Sequence, residues 1–372
     1  MLIKFSYFRE VKTNLKYLLA LTFVPGLGTA TQRKIIREIP ADNLWLLSDK
    51  ELNDVFRKKP EFIPAFQSSE YLELAEKEIE FCRKNQIEIY DYETEKYPEK
   101  LVDCSDAPLV IYKKGNYEFN SKLHIGIVGT RQMTGYGKEF IEKFTDEISD
   151  HNFCIVSGLA FGCDITAHRS AVKNNIPNIA VLATGLNRVT PAAHKTVANQ
   201  IIENGALISE YPSFHTPETI NFVLRNRIIA GLCDAVIVVE SAERGGALFT
   251  ASYANSYNRE VFAVPGRVGD KYSLGCNQLI RFNQAYMIRS AADLLDYFNL
   301  VKKKKVKQKE LFIELNPDEQ VIYDYLKTNG RQQIDVMAVD LKIPVYKLNS
   351  DLLTLELKGV VKPLTGKFFE LE

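Results

Sequence analysis

The chain has no C-x-x-C pair, and its six cysteines, Cys82, Cys104, Cys154, Cys163, Cys233 and Cys276, are scattered. That spacing argues against a zinc knuckle or a redox dithiol. Several cysteines sit in apolar runs, as Cys154 does in FCIVSG, which suits reduced, buried thiols in a cytosolic protein. Five histidines are equally dispersed. No apolar run is long enough to span a bilayer, and the start, MLIKFSYFRE, lacks the apolar stretch of a signal peptide, so a cytoplasmic location is expected. Net charge is +0, which excludes a globally basic, histone-like binder and leaves room only for a local cationic patch. G-x-G-x-x-G, a Walker loop and a G-x-S-x-G elbow are all missing. No catalytic group, cofactor or metal site is therefore expected.

What is present falls into parts. Over 372 residues two or three domains are expected. Residues 1–90 read as a helical, mixed-charge N-terminal domain. Its VPGLGTATQRKII segment, Val24 to Ile36, reads either as a helix-hairpin-helix element or as a helix-ending glycine followed by a turn. Arg33 and Lys34 suit the first reading.

Residues 91–300 change character. Continuous apolar runs alternate with helical patterns: Ile125–Gly129, Phe153–Gly158, Asn178–Thr184, Ala206–Glu210, Ala235–Glu240, Val261–Gly266 and Tyr286–Ser290. Such runs predict an α/β, Rossmann-like, doubly wound parallel sheet. Ligands of these sheets bind beyond the carboxyl ends of the strands, near a topological switch point. A lysine-rich linker follows over residues 301–315, with Lys302–Lys305, Lys307 and Lys309. Residues 316–372 read as three helices and a terminal hairpin, the winged-helix plan. A chain ending near Leu300 is expected to fold alone.

The strand ends carry the chemistry. After the first comes Gly129–Thr130–Arg131, after the second SGLAFGCDITAH, after the third Arg188, His194 and Lys195. The fifth ends in ESAERGGALFT and the sixth in Pro265–Gly266–Arg267. Glycine lets a ligand approach the backbone, helix N-termini present amides, and arginine adds a planar donor fork. Asp164 and His168 share a helix face and read either as an acid–base or ligand pair or as a cap and a packed histidine. Asn221–Gly231, NFVLRNRIIAG, sets Arg225, Asn226 and Arg227 against an apolar segment. These arginines read as an anion site or as structural partners of a neighbouring carboxylate.

The order VGTR, SGLAFGCDITAH, AVLATGLN, ISEYP, FVLRNRIIAG, VVESAERGGALFTASYA, FAVPG and SLGCNQLI resembles the DprA/Smf DNA-processing family, as does the YPEKLVDCSDAPLVIYKKGN segment before it. The resemblance implies a homodimer that binds single-stranded DNA and loads a RecA-type recombinase during natural transformation, helping to displace single-strand-binding protein. It implies no catalysis. Its DNA pocket maps onto Thr130, Arg131, Lys195, Phe222, Arg225, Asn226 and Arg227, with amides from Gly129, Gly158 and Gly246. Departures are Phe161 for an arginine, Val223 for a proline, Thr190 and His194 for tyrosine and asparagine, and Gly245 and Ala247 for serines. Two rivals are a phosphoribohydrolase-type enzyme and a winged-helix regulator. The first needs a glutamate that does not follow Thr250. The second sits poorly with a weakly basic third helix.

Overall fold

A computed structural model describes residues 11–56, 59–300 and 315–371. The Lys302–Lys309 run lies outside the described residues. The chain divides into two compact units, Met1–Leu300 and Val301–Glu372.

The first unit is built on a nine-stranded mixed sheet. All seven predicted strands are present, as β3 (Leu123–Val128), β4 (Phe153–Ser157), β5 (Asn178–Val181), β6 (Ala206–Ser209), β7 (Ala235–Val238), β8 (Glu260–Ala263) and β9 (Tyr286–Met287). They pair in parallel. Two strands that the sequence reading did not assign precede them, β1 (Glu88–Asp91) and β2 (Val110–Lys114). Both are antiparallel additions, β2 pairing with β6 and β1 with β2. The order is β1-β2-β6-β5-β4-β3-β7-β8-β9. The chain runs from β3 outward to β6, then returns to the other side of β3 to lay down β7, so the switch point lies between β3 and β7.

Alternation decides the layers, because successive side chains leave a strand on opposite faces. Ile125, Ile127, Ile155 and Ile237 enter one core, with Ile141 and Phe144 from the Gly135–Ile148 helix. Val128, Val156, Val236 and Val238 enter the other, against Ile228 and Ile229 from the Asn226–Leu232 helix and Ala251 from the Ala247–Ser256 helix. Each buried aliphatic side chain contributes about 1.5–3 kcal/mol relative to exposure.

The N-terminal helices form a third core, centred on Leu18, Leu19, Leu44 and Phe66, that also takes Val110 and Tyr112 from β2. In their hairpin Gly26 holds φ at +75°, a left-handed conformation natural to glycine. Gln32 closes the turn by donating to the Leu27 carbonyl at 2.7 Å. Arg33 is committed elsewhere: it donates to the carbonyls of Cys104 at 2.7 Å and Val102 at 3.2 Å. The structure thus gives this cation a bracing role between the N-terminal helices and the segment that links β1 to β2.

The second unit has helices Pro317–Asn329, Ile334–Leu341 and Val345–Leu357, with a three-stranded sheet completed by the hairpin Val361–Leu364 and Phe368–Leu371. Asn316 and Glu319 form a reciprocal capping box at its first helix. Among the described residues no helix is long and apolar enough to cross a membrane.

Candidate functional site

A cavity of about 440 Å³ opens at the carboxyl ends of β3 and β7, at the switch point. Gly129, Thr130 and Arg131 form one wall, Phe222, Arg225 and Asn226 a second, and Ser241, Ala242 and Gly245 to Ala247 a third. Sequence segments about a hundred residues apart converge here because parallel strands deliver all their following loops to one edge of the sheet.

The loop carrying Arg131 is held at several points. The Thr130 amide donates to the Glu240 carbonyl at 2.8 Å. The Glu240 carboxylate accepts from the Thr134 amide at 2.8 Å and from its hydroxyl at 2.5 Å. That carboxylate thereby sits at the start of the Gly135–Ile148 helix, where negative charge is favoured. The Gln132 side chain accepts from the Tyr272 hydroxyl. Gly129 is forced by packing: a Cβ there would lie 2.3 Å from Cys163 Sγ and 3.0 Å from the Glu240 carbonyl. On this braced loop Arg131 is exposed, with its guanidinium 5.9 Å from the centre of the half-buried Phe222 ring.

Arg225 behaves differently. It is only 3% exposed, and its Nη1 donates to the Gly158 carbonyl at 2.6 Å and also to the Val181 carbonyl. These carbonyls end the neighbouring strands β4 and β5, so Arg225 ties the sheet edge together beneath the cavity. Burial lowers its pKa to about 10, an effect that nearby Arg131 reinforces and Asp164 opposes. It remains a cation at neutral pH. Gly158 makes room for it, since a Cβ there would lie 2.4 Å from Arg225 Nη2. The sequence reading assigned Gly158 an amide for phosphate; the structure shows a glycine whose carbonyl and missing side chain accommodate a guanidinium.

Arg227 points away from this cavity. It pairs with Glu210 and donates to the Asp106 carbonyl at 2.8 Å. It lines a separate cleft of about 790 Å³ that the N-terminal hairpin also walls. Burial pushes the Glu210 carboxyl up, with Arg227 working against it. Lys195 is also outside the first cavity; it is exposed at the start of the Lys195–Asn204 helix. Gly246 does line the cavity, and nothing lies within 4 Å of where its Cβ would be. At the start of the helix that begins at Ala247, the Leu248 and Phe249 amides donate to the Gly245 and Gly246 carbonyls at 3.1 and 3.2 Å, and Gly246 and Ala247 line the cavity.

Asp164 and His168 are both buried and have different partners. Asp164 lines the cavity and accepts weakly from the Ala160 amide at 3.4 Å; burial raises its pKa, with Arg225 opposing. His168 Nδ1 lies 2.8 Å from Asn178 Oδ1, so it donates there. Phe161, standing where the family pattern has arginine, is half exposed and meets His194 edge-on at 4.7 Å. Gln132 and Tyr272 were not singled out by the sequence reading. Their link joins loops about 140 residues apart, and no local pattern signals it.

Burial lowers the pKa of His168 to about 4, and that of His124 likewise to about 4. Both are neutral when folded and gain a proton near 6.5 when unfolded. Between these values the unfolded state binds more protons, so stability falls as pH drops from about 6.5 to about 4, by on the order of 3 kcal/mol per histidine. A urea midpoint measured across that window is expected to decline steadily. A flat profile would contradict the neutral, buried assignment.

The family model for DNA recombination-mediator protein A matches residues 88–299, which span the whole nine-stranded sheet. The chain belongs to the DprA/Smf family. Protein Smf of Synechocystis is 41% identical over 203 residues, 54% of this chain and 51% of that protein, so the chain spans about half the length of that relative. The crystal structure of DNA processing protein A from Streptococcus pneumoniae superposes with a TM-score of 0.56 at 29% identity, covering 72% of this chain and 97% of that one. DNA processing protein A from Helicobacter pylori, described for its single-stranded-DNA binding mode, gives a TM-score of 0.52 at 27% identity, covering 57% of this chain and 96% of that one. In keeping with that membership, the chain has a mixed α/β sheet, N-terminal helices and a C-terminal unit of helices and strands.

Proposed function

We propose that the chain binds single-stranded DNA without cleaving it and loads a RecA-type recombinase on the bound strand. The observation that carries this reading is the cavity at the switch point, where exposed Arg131 stands over the Phe222 ring beside the start of the Ala247–Ser256 helix. An arginine and helix amides suit a phosphate, and a ring suits an unstacked base, a combination that single strands offer and duplexes conceal. The single-strand binding described for the Helicobacter pylori relative supports the same reading. Arg131, Phe222, Asn226 and the amides at Gly129 and Gly246 are the contacts we assign, the Thr130 amide being committed to the Glu240 carbonyl. Arg225 acts from beneath, through the floor of the cavity and its positive field.

The finer architecture belongs to the same proposal. Residues 91–300 form a Rossmann-like core, residues 1–90 a helical domain of helix-hairpin-helix type, and residues 316–372 a winged helix beyond a lysine-rich linker. The protein acts in the cytoplasm as a homodimer, with single-strand-binding protein displaced during natural transformation and recombination.

Single-strand binding is expected to be largely independent of sequence and to weaken with salt. Each phosphate neutralised contributes about −0.7 to the log–log slope, so a few contacts give roughly −2 to −4. Titrating single and double strands of equal length over a salt series tests this. Equal or tighter binding to the duplex would count against the proposal.

A further inference from the structure

A second cavity, of about 870 Å³, adjoins the first at the next gap along the same sheet edge. It is lined by Tyr136, Arg267, Asp270, Lys271 and Tyr272, around the turn that follows β8. Neighbouring strands lie about 4.8 Å apart, so the ends of β3, β7 and β8 present two adjoining gaps. Their boundary is the link between Gln132, which lines the first cavity, and Tyr272, which lines the second.

We infer that the second cavity carries the continuation of the same single strand, so that the DNA path crosses the Gln132–Tyr272 ridge toward Arg267 and Lys271. This rests on the proposed single-strand reading. The lining has what a strand requires. Arg267 and Lys271 are exposed, and Lys271 Nζ lies 5.2 Å from the centre of the Tyr272 ring, as Arg131 lies over Phe222. Tyr136 is 50% exposed, and its hydroxyl donates to the Pro265 carbonyl at 2.7 Å, which steadies the ring as a surface for a base. Two carboxylates also line the space. That of Glu240 is occupied by Thr134 at a helix start, and that of Asp270 is outnumbered by the two cations. The pairing of a cation with an aromatic ring thus recurs on both sides of the ridge.

The test is fluorescence anisotropy with oligothymidylates of about 4 and about 16 nucleotides, the span of known single-strand site sizes. The full-length chain, the double variant R267A/K271A and the control R131A are compared. Both substituted cations of the double variant are exposed, so folding is not at risk. The double variant is expected to bind the short oligonucleotide normally and the long one about five- to twentyfold more weakly. Its salt slope on the long strand is expected to be shallower by about 1.4, for two phosphates released. R131A is expected to lose affinity for both lengths. An unchanged double variant, or an equal loss on both lengths, overturns the inference. Failure of the unsubstituted chain to bind either length overturns the single-strand reading itself, and this inference with it.

Discussion

Replacing Arg225 with alanine is expected to destabilise the first unit by about 3–5 kcal/mol, the cost of removing one partner from a buried charged cluster. The guanidinium is almost wholly buried and donates to the carbonyls of Gly158 and Val181. Without it those carbonyls lose a charged donor, and the buried Asp164 carboxyl loses a cation that favours its ionised form. Unsatisfied buried groups cost about 1–3 kcal/mol each, so the sum is consistent with the range. The family resemblance instead places Arg225 among the DNA contacts. Depth explains the difference: the Arg-Asn-Arg run presents its first arginine to the sheet floor. Thermal melting of Arg225→Ala decides the matter. A midpoint equal to that of the unsubstituted chain would show that the guanidinium does not brace the sheet edge.

Arg227→Ala should cost the fold a similar amount, about 3–5 kcal/mol, through a different partner. Its loss leaves Glu210 inside the protein without its cation and the Asp106 carbonyl without its donor. The double variant Arg227→Met with Glu210→Gln removes both charges and is expected to recover much of the loss, because no uncompensated carboxylate remains. Arg227 does not line the cavity that Arg131 overlooks. Single-strand affinity of the folded double variant is therefore expected to match that of the unsubstituted chain. Urea denaturation and a binding titration separate the two effects. Stable Arg227→Ala with reduced affinity would move Arg227 from bracing to DNA contact.

Much of the fold was legible because buried parallel strands are written as continuous apolar runs between helical patterns. Seven strands and the C-terminal helices could be placed that way. Strands β1 and β2 could not, since EIYD and VIYKK mix charge with aromatics and lie on the antiparallel flank of the sheet. In the site, the rule that loops gather at the carboxyl ends of parallel strands brought Gly129, Arg131, Phe222 and Gly246 to one place. What sequence order could not supply was direction. Side chains at the start of a short helix diverge by about 100° per residue, so Arg225 and Arg227, two residues apart, line different cavities. Likewise, a glycine required by a ligand and one required by a guanidinium, as at Gly158, look alike in the sequence.

The central claim is that single-stranded DNA enters the cavity between β3 and β7 and meets Arg131. Arg131 is exposed, so its removal leaves packing undisturbed. The measurement is the affinity of Arg131→Ala for a single strand, taken beside its thermal midpoint. The account predicts an unchanged midpoint and an affinity lower by about tenfold or more, as expected for a lost charged hydrogen bond. A folded Arg131→Ala protein that binds the single strand as tightly as the unsubstituted chain would contradict it.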